Sequence, residues 1–139
     1  MPIEPPRSDD GRIVAHDHFE IRDEHHVIRW TTPGDIHPAE GRLVSGAFSE
    51  SRDGGMSVEI EEWLLDAGFD RMQNLPDSRY GAVRLNVGIL RGLGFQVGWD
   101  PDQGHEHHGA VWGIGNGSTR RRKILKIAER LRPAKGEKE

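Results

Sequence analysis

The stretch Tyr80–Ile114 reads YGAVRLNVGILRGLGFQVGWDPDQGHEHHGAVWGI, and its periodicities decide the fold class. Apolar and polar residues alternate from Tyr80 to Val87, which predicts a strand. Val87–Leu93 has helical spacing and stops at Gly94, a residue free to take the left-handed conformation that ends a helix. Phe95–Trp99 is extended again. A Pro/Gly turn carrying three histidines follows, and His108–Ile114 reads as a further strand. Such short elements leave no room for long crossover helices. The strands are therefore expected to pair antiparallel or in a mixed sense rather than in a doubly wound parallel sheet.

Working outward, Glu24–Thr32 reads as a strand with His26, Ile28 and Trp30 on one face and Val27 and Arg29 on the other. Arg42–Phe48 looks extended. Met56–Gly68 predicts a short strand running into a short helix, with Gly68 just past its end. A helix is expected from Ser118 to Arg132, capped by Ser118 or Thr119, with Ile124, Leu125, Ile127, Ala128 and Leu131 as its apolar stripe. The fold class is α+β: one domain with a small, mostly antiparallel or mixed sheet and a C-terminal helix packed on it. Its expected limits are 23–132. Residues 1–22 read as a disordered or loosely attached arm, and 133–139 as a frayed tail.

Composition narrows the function classes. A chain of 139 residues is long enough for one real core, burying roughly two thirds of its unfolded surface. Having no cysteine, it has no disulfide, no thiolate metal site and no cysteine nucleophile. No apolar run nears the ~20 residues needed to span a bilayer, and the N-terminus has no signal-like core, so a cytoplasmic, non-membrane protein is expected. The net charge of −4 hides a polarity. Residues 118–139 carry nine Lys and Arg against three Glu, while residues 1–117 carry ten Arg against twenty acids.

Three sets of residues have chemical potential. Arg29, Ser45, Ser57 and Glu59, with His108, hold the donor, hydroxyl, carboxylate and imidazole groups suited to clamping a phosphate or a nucleotide ribose. His105, His107 and His108 crowd one turn, where imidazoles two apart on an extended chain face the same way and offer a divalent metal a thiol-free site. His16 with His18 repeats that spacing. Gly115 and Gly117 precede Arg120, Arg121 and Arg122 at the start of a helix, an arrangement suited to anion binding. Trp30, Trp63 and Trp112 read as core. Core is the default for all four, and Trp99, beside the histidine turn, is the one with most reason to be exposed.

Arg29 at a strand end, Ser45-Gly46-Ala47-Phe48, Met56-Ser57-Val58, Leu90–Val97, Asp100-Pro101 and His108 before a strand form a familiar succession. It resembles a family of small uncharacterised bacterial proteins over roughly residues 24–114. The resemblance implies that these positions belong to one fold and brings no activity with it. The leading expectation is a small bacterial non-enzymatic partner protein acting inside a larger assembly. It would work through the basic helix 118–132, with homo-oligomerisation, basic helix against acidic body, as one form. The alternative is a small enzyme or binding domain for a nucleotide or phosphate ester, using the Arg/Ser/Glu/His set. Nucleic-acid binding through the same helix is not favoured, because the acidic body repels a phosphate backbone.

Overall fold

The computed structural model describes residues 2–52, 54–72, 75–103, 105–115 and 117–138. Six strands form one sheet: β1 (His26–Thr31), β2 (Met56–Ile60), β3 (Gly81–Asn86), β4 (Gln96–Trp99), β5 (His108–Trp112) and β6 (Glu129–Arg132). Three helices accompany them: α1 (Glu61–Asp66), α2 (Val87–Gly92) and α3 (Ser118–Ile127). The strand order is β4-β5-β2-β1-β3-β6, and every pairing is antiparallel. The protein is an α+β fold as the sequence predicts. No helix among the described residues is long and apolar enough to cross a membrane.

The quoted stretch behaves as read. Asn86 caps α2, its side chain accepting from the Ile89 amide. Gly94 follows the helix at φ +95°, and β4 begins two residues later. β4 and β5 pair from Gln96↔Trp112 to Trp99↔Gly109. The larger core lies on one face of the sheet, where Val27, Met56, Val58, Ile60, Val83, Leu85, Val97 and Val111 meet Phe48, Leu90 and Ile124. On the other face a smaller cluster joins Ile28, Leu64 and Ala82, with Trp30, Met72 and Leu131 against it. The alternation expected for β1 is thus realised, Val27 turning one way and Ile28 and Trp30 the other.

Three expectations fail. The C-terminal helix ends at Ile127 and not at Arg132. Ala128 turns extended (φ −73°, ψ 128°), and Glu129–Arg132 pairs with β3 as β6. The free edge of β3 supplies backbone partners, and Arg84 meets Glu129 at 3.4 Å. Another helical turn would instead have crowded like charges. Leu131 accordingly packs with Ile28 on the opposite face from Ile124. The helix N-cap is Gly117, not Ser118 or Thr119, and no side chain caps it. Residues 42–48 are extended only at their start: Leu43 bridges Ile36 antiparallel and Val44 is extended, but Ser45–Phe48 is a 3-10 turn, with Ala47 N–H donating to the Val44 carbonyl. Trp99 is core, the default reading for each tryptophan. Its indole N–H donates to the Glu106 carbonyl at 2.7 Å, and only 4% of the residue meets solvent.

Within residues 1–22, expected to be disordered or loosely attached, residues 16–18 lie beside the border strand β4. The His18 amide donates to the Val97 carbonyl (2.9 Å), the Val97 amide to Asp17 Oδ1 (3.0 Å) and the Trp99 amide to His16 Nε2 (3.1 Å). Side chains and backbone of the arm therefore satisfy the outward-facing groups of β4, as a seventh strand would. Gly98 makes the approach possible. A Cβ there would lie 2.6 Å from the Trp112 ring and 2.7 Å from His16 Nε2. His16 and His18 are structural, each buried and engaged at both ring nitrogens.

Candidate functional site

The site is written into the register of β2 and β5. Ser57 and Glu59 are two apart and project from the same face of β2, opposite Met56, Val58 and Ile60. Their cross-strand neighbours are Ala110 and His108 respectively. His108 thus stands beside Glu59 and one diagonal step from Ser57, a separation that a long side chain bridges. The bridge forms, with Ser57 Oγ in hydrogen-bond contact with His108 Nε2. On the other side of the ring, His108 Nδ1 lies 3.0 Å from the Asp100 carbonyl oxygen. A carbonyl only accepts, so Nδ1 carries the proton and Nε2 is left to accept from the serine hydroxyl. The Asp100 carboxylate is 3.9 Å from Nδ1. Burial, with the two neighbouring histidines adding to it, pushes the His108 imidazole down to about 4, so the ring is neutral at physiological pH.

Beside this pair the sheet opens. β1 and β2 pair only at Val27↔Ile60 and Ile28↔Glu59, whereas β1 continues along β3 to Thr31. Where the two strands part, Arg29 fills the gap. Its Nε donates to the Ala47 carbonyl (3.0 Å) and its Nη1 to the Ser57 carbonyl (2.9 Å). The guanidinium has no ion-pair partner among the described residues. Burial pushes its pKa below the ordinary arginine range, with Asp35 partly compensating. It stays charged nonetheless. The opening is a cleft of about 430 Å³ whose walls include Arg29, Trp30, Ser57, Glu59, Tyr80, His105 and His108. A second cleft, about 650 Å³, lies on the far side of the Ser57–His108 pair and is flanked by Arg12, Arg52 and Trp112. Ser57 and His108 line both.

Above Glu59 sits the histidine turn. His105 Nε2 is 2.6 and 2.5 Å from the two carboxylate oxygens of Glu59, and His107 Nε2 is 3.5 Å from Oε2. The His105 and His107 rings are 4.0 Å apart between centroids. Burial raises the Glu59 carboxyl pKa, with His105 opposing the shift, and pushes His107 down to about 4.

Of the residues chosen from sequence, Arg29, Ser57, Glu59, His105 and His108 meet around one cleft. Ser45 does not join them; Gly46 and Ser49 of the same turn line the wall instead. The triple-histidine metal set is also rearranged. His108 turns to Ser57, and Glu59 takes its place beside His105 and His107. The glycine loop, expected to hold an external anion, holds an internal one. The Gly113 and Gly115 amides donate to the two carboxylate oxygens of Glu50 at 2.9 and 3.0 Å. Arg120 donates to the Gly113 carbonyl, while Arg122 lies exposed on α3. The buried Nε of Arg121 finds no hydrogen-bond partner among the described residues. The Asp100 carbonyl, Trp30 and Tyr80 were not foreseen. The signal available for Asp100 was its place at the end of β4, opposite the first residue of β5. Comparison with protein-family models, with curated proteins and with solved structures finds no match, so the site is read from its own geometry.

Proposed function

We propose that the protein is a small hydrolase of phosphate esters, nucleotides among them, in which Ser57 is the nucleophile, His108 the general base and Arg29 the anion clamp. The observation that carries this reading is the Ser57–His108 hydrogen bond with the ring locked from behind by the Asp100 carbonyl. A nucleophile, a base and a group that orients the base are the working parts of serine hydrolysis, whatever the fold. Arg29 adds a half-buried positive charge with no ion-pair partner among the described residues, bonded to the backbone carbonyl of Ser57. Trp30 and Tyr80 give the cleft flat apolar walls.

In the proposed reaction Ser57 Oγ attacks phosphorus as its proton passes to His108 Nε2. The ester bond breaks, and the leaving alkoxide takes that proton from the imidazolium. Water then attacks the phosphoserine, delivering a proton to His108, and the released Ser57 alkoxide recovers it. Net consumption is one water per ester cleaved. Turnover of 4-nitrophenyl phosphate and bis(4-nitrophenyl) phosphate tests this, with 4-nitrophenyl acetate as the uncharged control. Ser57→Ala and His108→Gln are expected to lose at least about a hundredfold in kcat while folding normally. Arg29→Lys is expected to raise KM for the phosphates and not for the acetate. Phosphate-ester turnover no faster than that of Ser57→Ala would rule the mechanism out.

A second reading, the partner protein, has its own support in the exposed cations Arg122, Lys123 and Lys126 on α3. It predicts capture of an acidic partner that weakens steeply between low and physiological salt, and salt-independent capture would exclude it.

A further inference from the structure

We infer that Glu59, His105 and His107 form a binding site for one divalent transition ion of the zinc class. The three ligand atoms lie within 4.8 Å of one another. A tetrahedral ion with bonds of ~2.0–2.2 Å holds its ligand atoms roughly 3.3 Å apart. The Glu59–His107 separation of 3.5 Å already matches that value. The Glu59–His105 contact of 2.5 Å needs to open by somewhat under ~1 Å, within reach of a side-chain adjustment. Both imidazoles present Nε2 to the same carboxylate, so both can ligate through the same type of atom.

Charge supports the assignment. Glu59 is 3% exposed, and among the described residues no Arg or Lys pairs with it; two imidazoles are its ion-pair partners. A buried carboxylate without a full positive charge is costly, and a dication supplies that charge. The donor set, two nitrogens and one carboxylate oxygen, selects zinc, cobalt or nickel over magnesium or calcium. Three protein ligands leave a fourth position for water, the pattern of a reactive rather than a purely structural site. Glu59 and His105 line the Arg29 cleft, so an ion here borders that opening. The other histidine–carboxylate group, His26 with Glu61 and Glu62, differs in this respect. Its buried Glu61 is already matched by Arg71 and Arg84, each at 2.6 Å.

Chelator-treated protein titrated with zinc chloride by calorimetry tests the site. The expected result is a single equivalent per chain, weakened at least roughly a hundredfold in both Glu59→Gln and His107→Gln. His26→Gln and His37→Gln are expected to leave it unchanged. Cobalt provides a second readout, because a tetrahedral cobalt ion with nitrogen ligands absorbs strongly in the visible. That band is expected in the wild type and absent in His105→Gln, whose ring is partly exposed and whose loss spares the fold. Zinc binding that survives all three ligand substitutions, or that follows the other histidines, would overturn the site. Metal binding with no ester hydrolysis would remove the proposed reaction and leave the metal site standing. The reverse result would remove the metal site alone.

Discussion

Replacing Arg29 with methionine tests whether the gap between β1 and β2 is held open by a guanidinium. The side chain makes two charge-assisted hydrogen bonds, to the carbonyls of Ala47 and Ser57. Each such bond contributes about 1.5–3 kcal/mol. Methionine keeps most of the apolar stem and abolishes both bonds, leaving two carbonyls without their donor. Water in the cleft rehydrates them in part, and the variant is spared the cost of burying a charge. The net loss expected is about 2–3 kcal/mol, a sizeable share of the 5–15 kcal/mol typical of a whole domain. With a urea dependence of roughly 2 kcal/mol per molar, the unfolding midpoint falls by about 1 M. Arg29→Lys keeps the charge but cannot reach both carbonyls with a fixed planar fork, so it is expected to fall between the two. Equilibrium urea unfolding followed by tryptophan fluorescence measures all three proteins. A midpoint for Arg29→Met within 0.2 M (about 0.4 kcal/mol) of the wild type would show that the guanidinium does not hold the opening.

Two further perturbations follow from buried polar groups. Glu61 is 1% exposed and faces Arg84 and Arg71, so Glu61→Ala takes the 2.6 Å carboxylate contact from both, leaving Arg84 only its 3.4 Å contact with Glu129. Both arginines reach solvent, so the cost is expected at about 2–3 kcal/mol, below that of a fully buried pair, in the same urea assay. His16 gives a pH dependence. Burial holds its pKa below the ordinary 6.5, against the opposing bond to the Val14 carbonyl and the charge of Asp17, with His18 adding to the depression. The unfolded chain therefore binds the proton first as pH falls. The stability His16 confers is complete above pH ~6.5 and is lost progressively below it, toward the folded-state value. His16→Gln keeps an acceptor for the Trp99 amide and does not titrate. Its stability is expected to fall less between pH 7.5 and 5.5, by up to about 1.4 kcal/mol per pH unit across the affected window. Parallel pH profiles for wild type and variant would refute the assignment.

What the sequence made legible was local. The alternation in Tyr80–Val87, the stop at Gly94 and the strand–helix junction at Met56–Gly68 all rest on neighbours in the chain, and they stand. Two of the failures have a non-local cause. Glu129–Arg132 has a helical pattern and becomes a strand because β3, some 45 residues earlier, has a border to satisfy. His16 and His18 have the spacing of a metal pair, but β4 requires acceptors and donors there. The cleft chemistry was readable as residue types at Arg29, Ser57, Glu59 and His108, and misread only at Ser45. Which histidine serves which partner was not readable. That is fixed by the Glu59↔His108 register, which places His108 diagonal to Ser57 and hands Glu59 to the turn above.

The way the sheet ends has a consequence for how this molecule keeps to itself. One margin, at β4, is sealed by borrowed groups from residues 16–18, and the other, at β6, carries Arg130 and Arg132 and an irregular register against β3. A continuous ribbon built from many copies needs two smooth, unoccupied margins per molecule, and here one is taken and the other is kinked and charged. Such margins disfavour edge-to-edge backbone pairing between copies, independently of the surface charge of the acidic body.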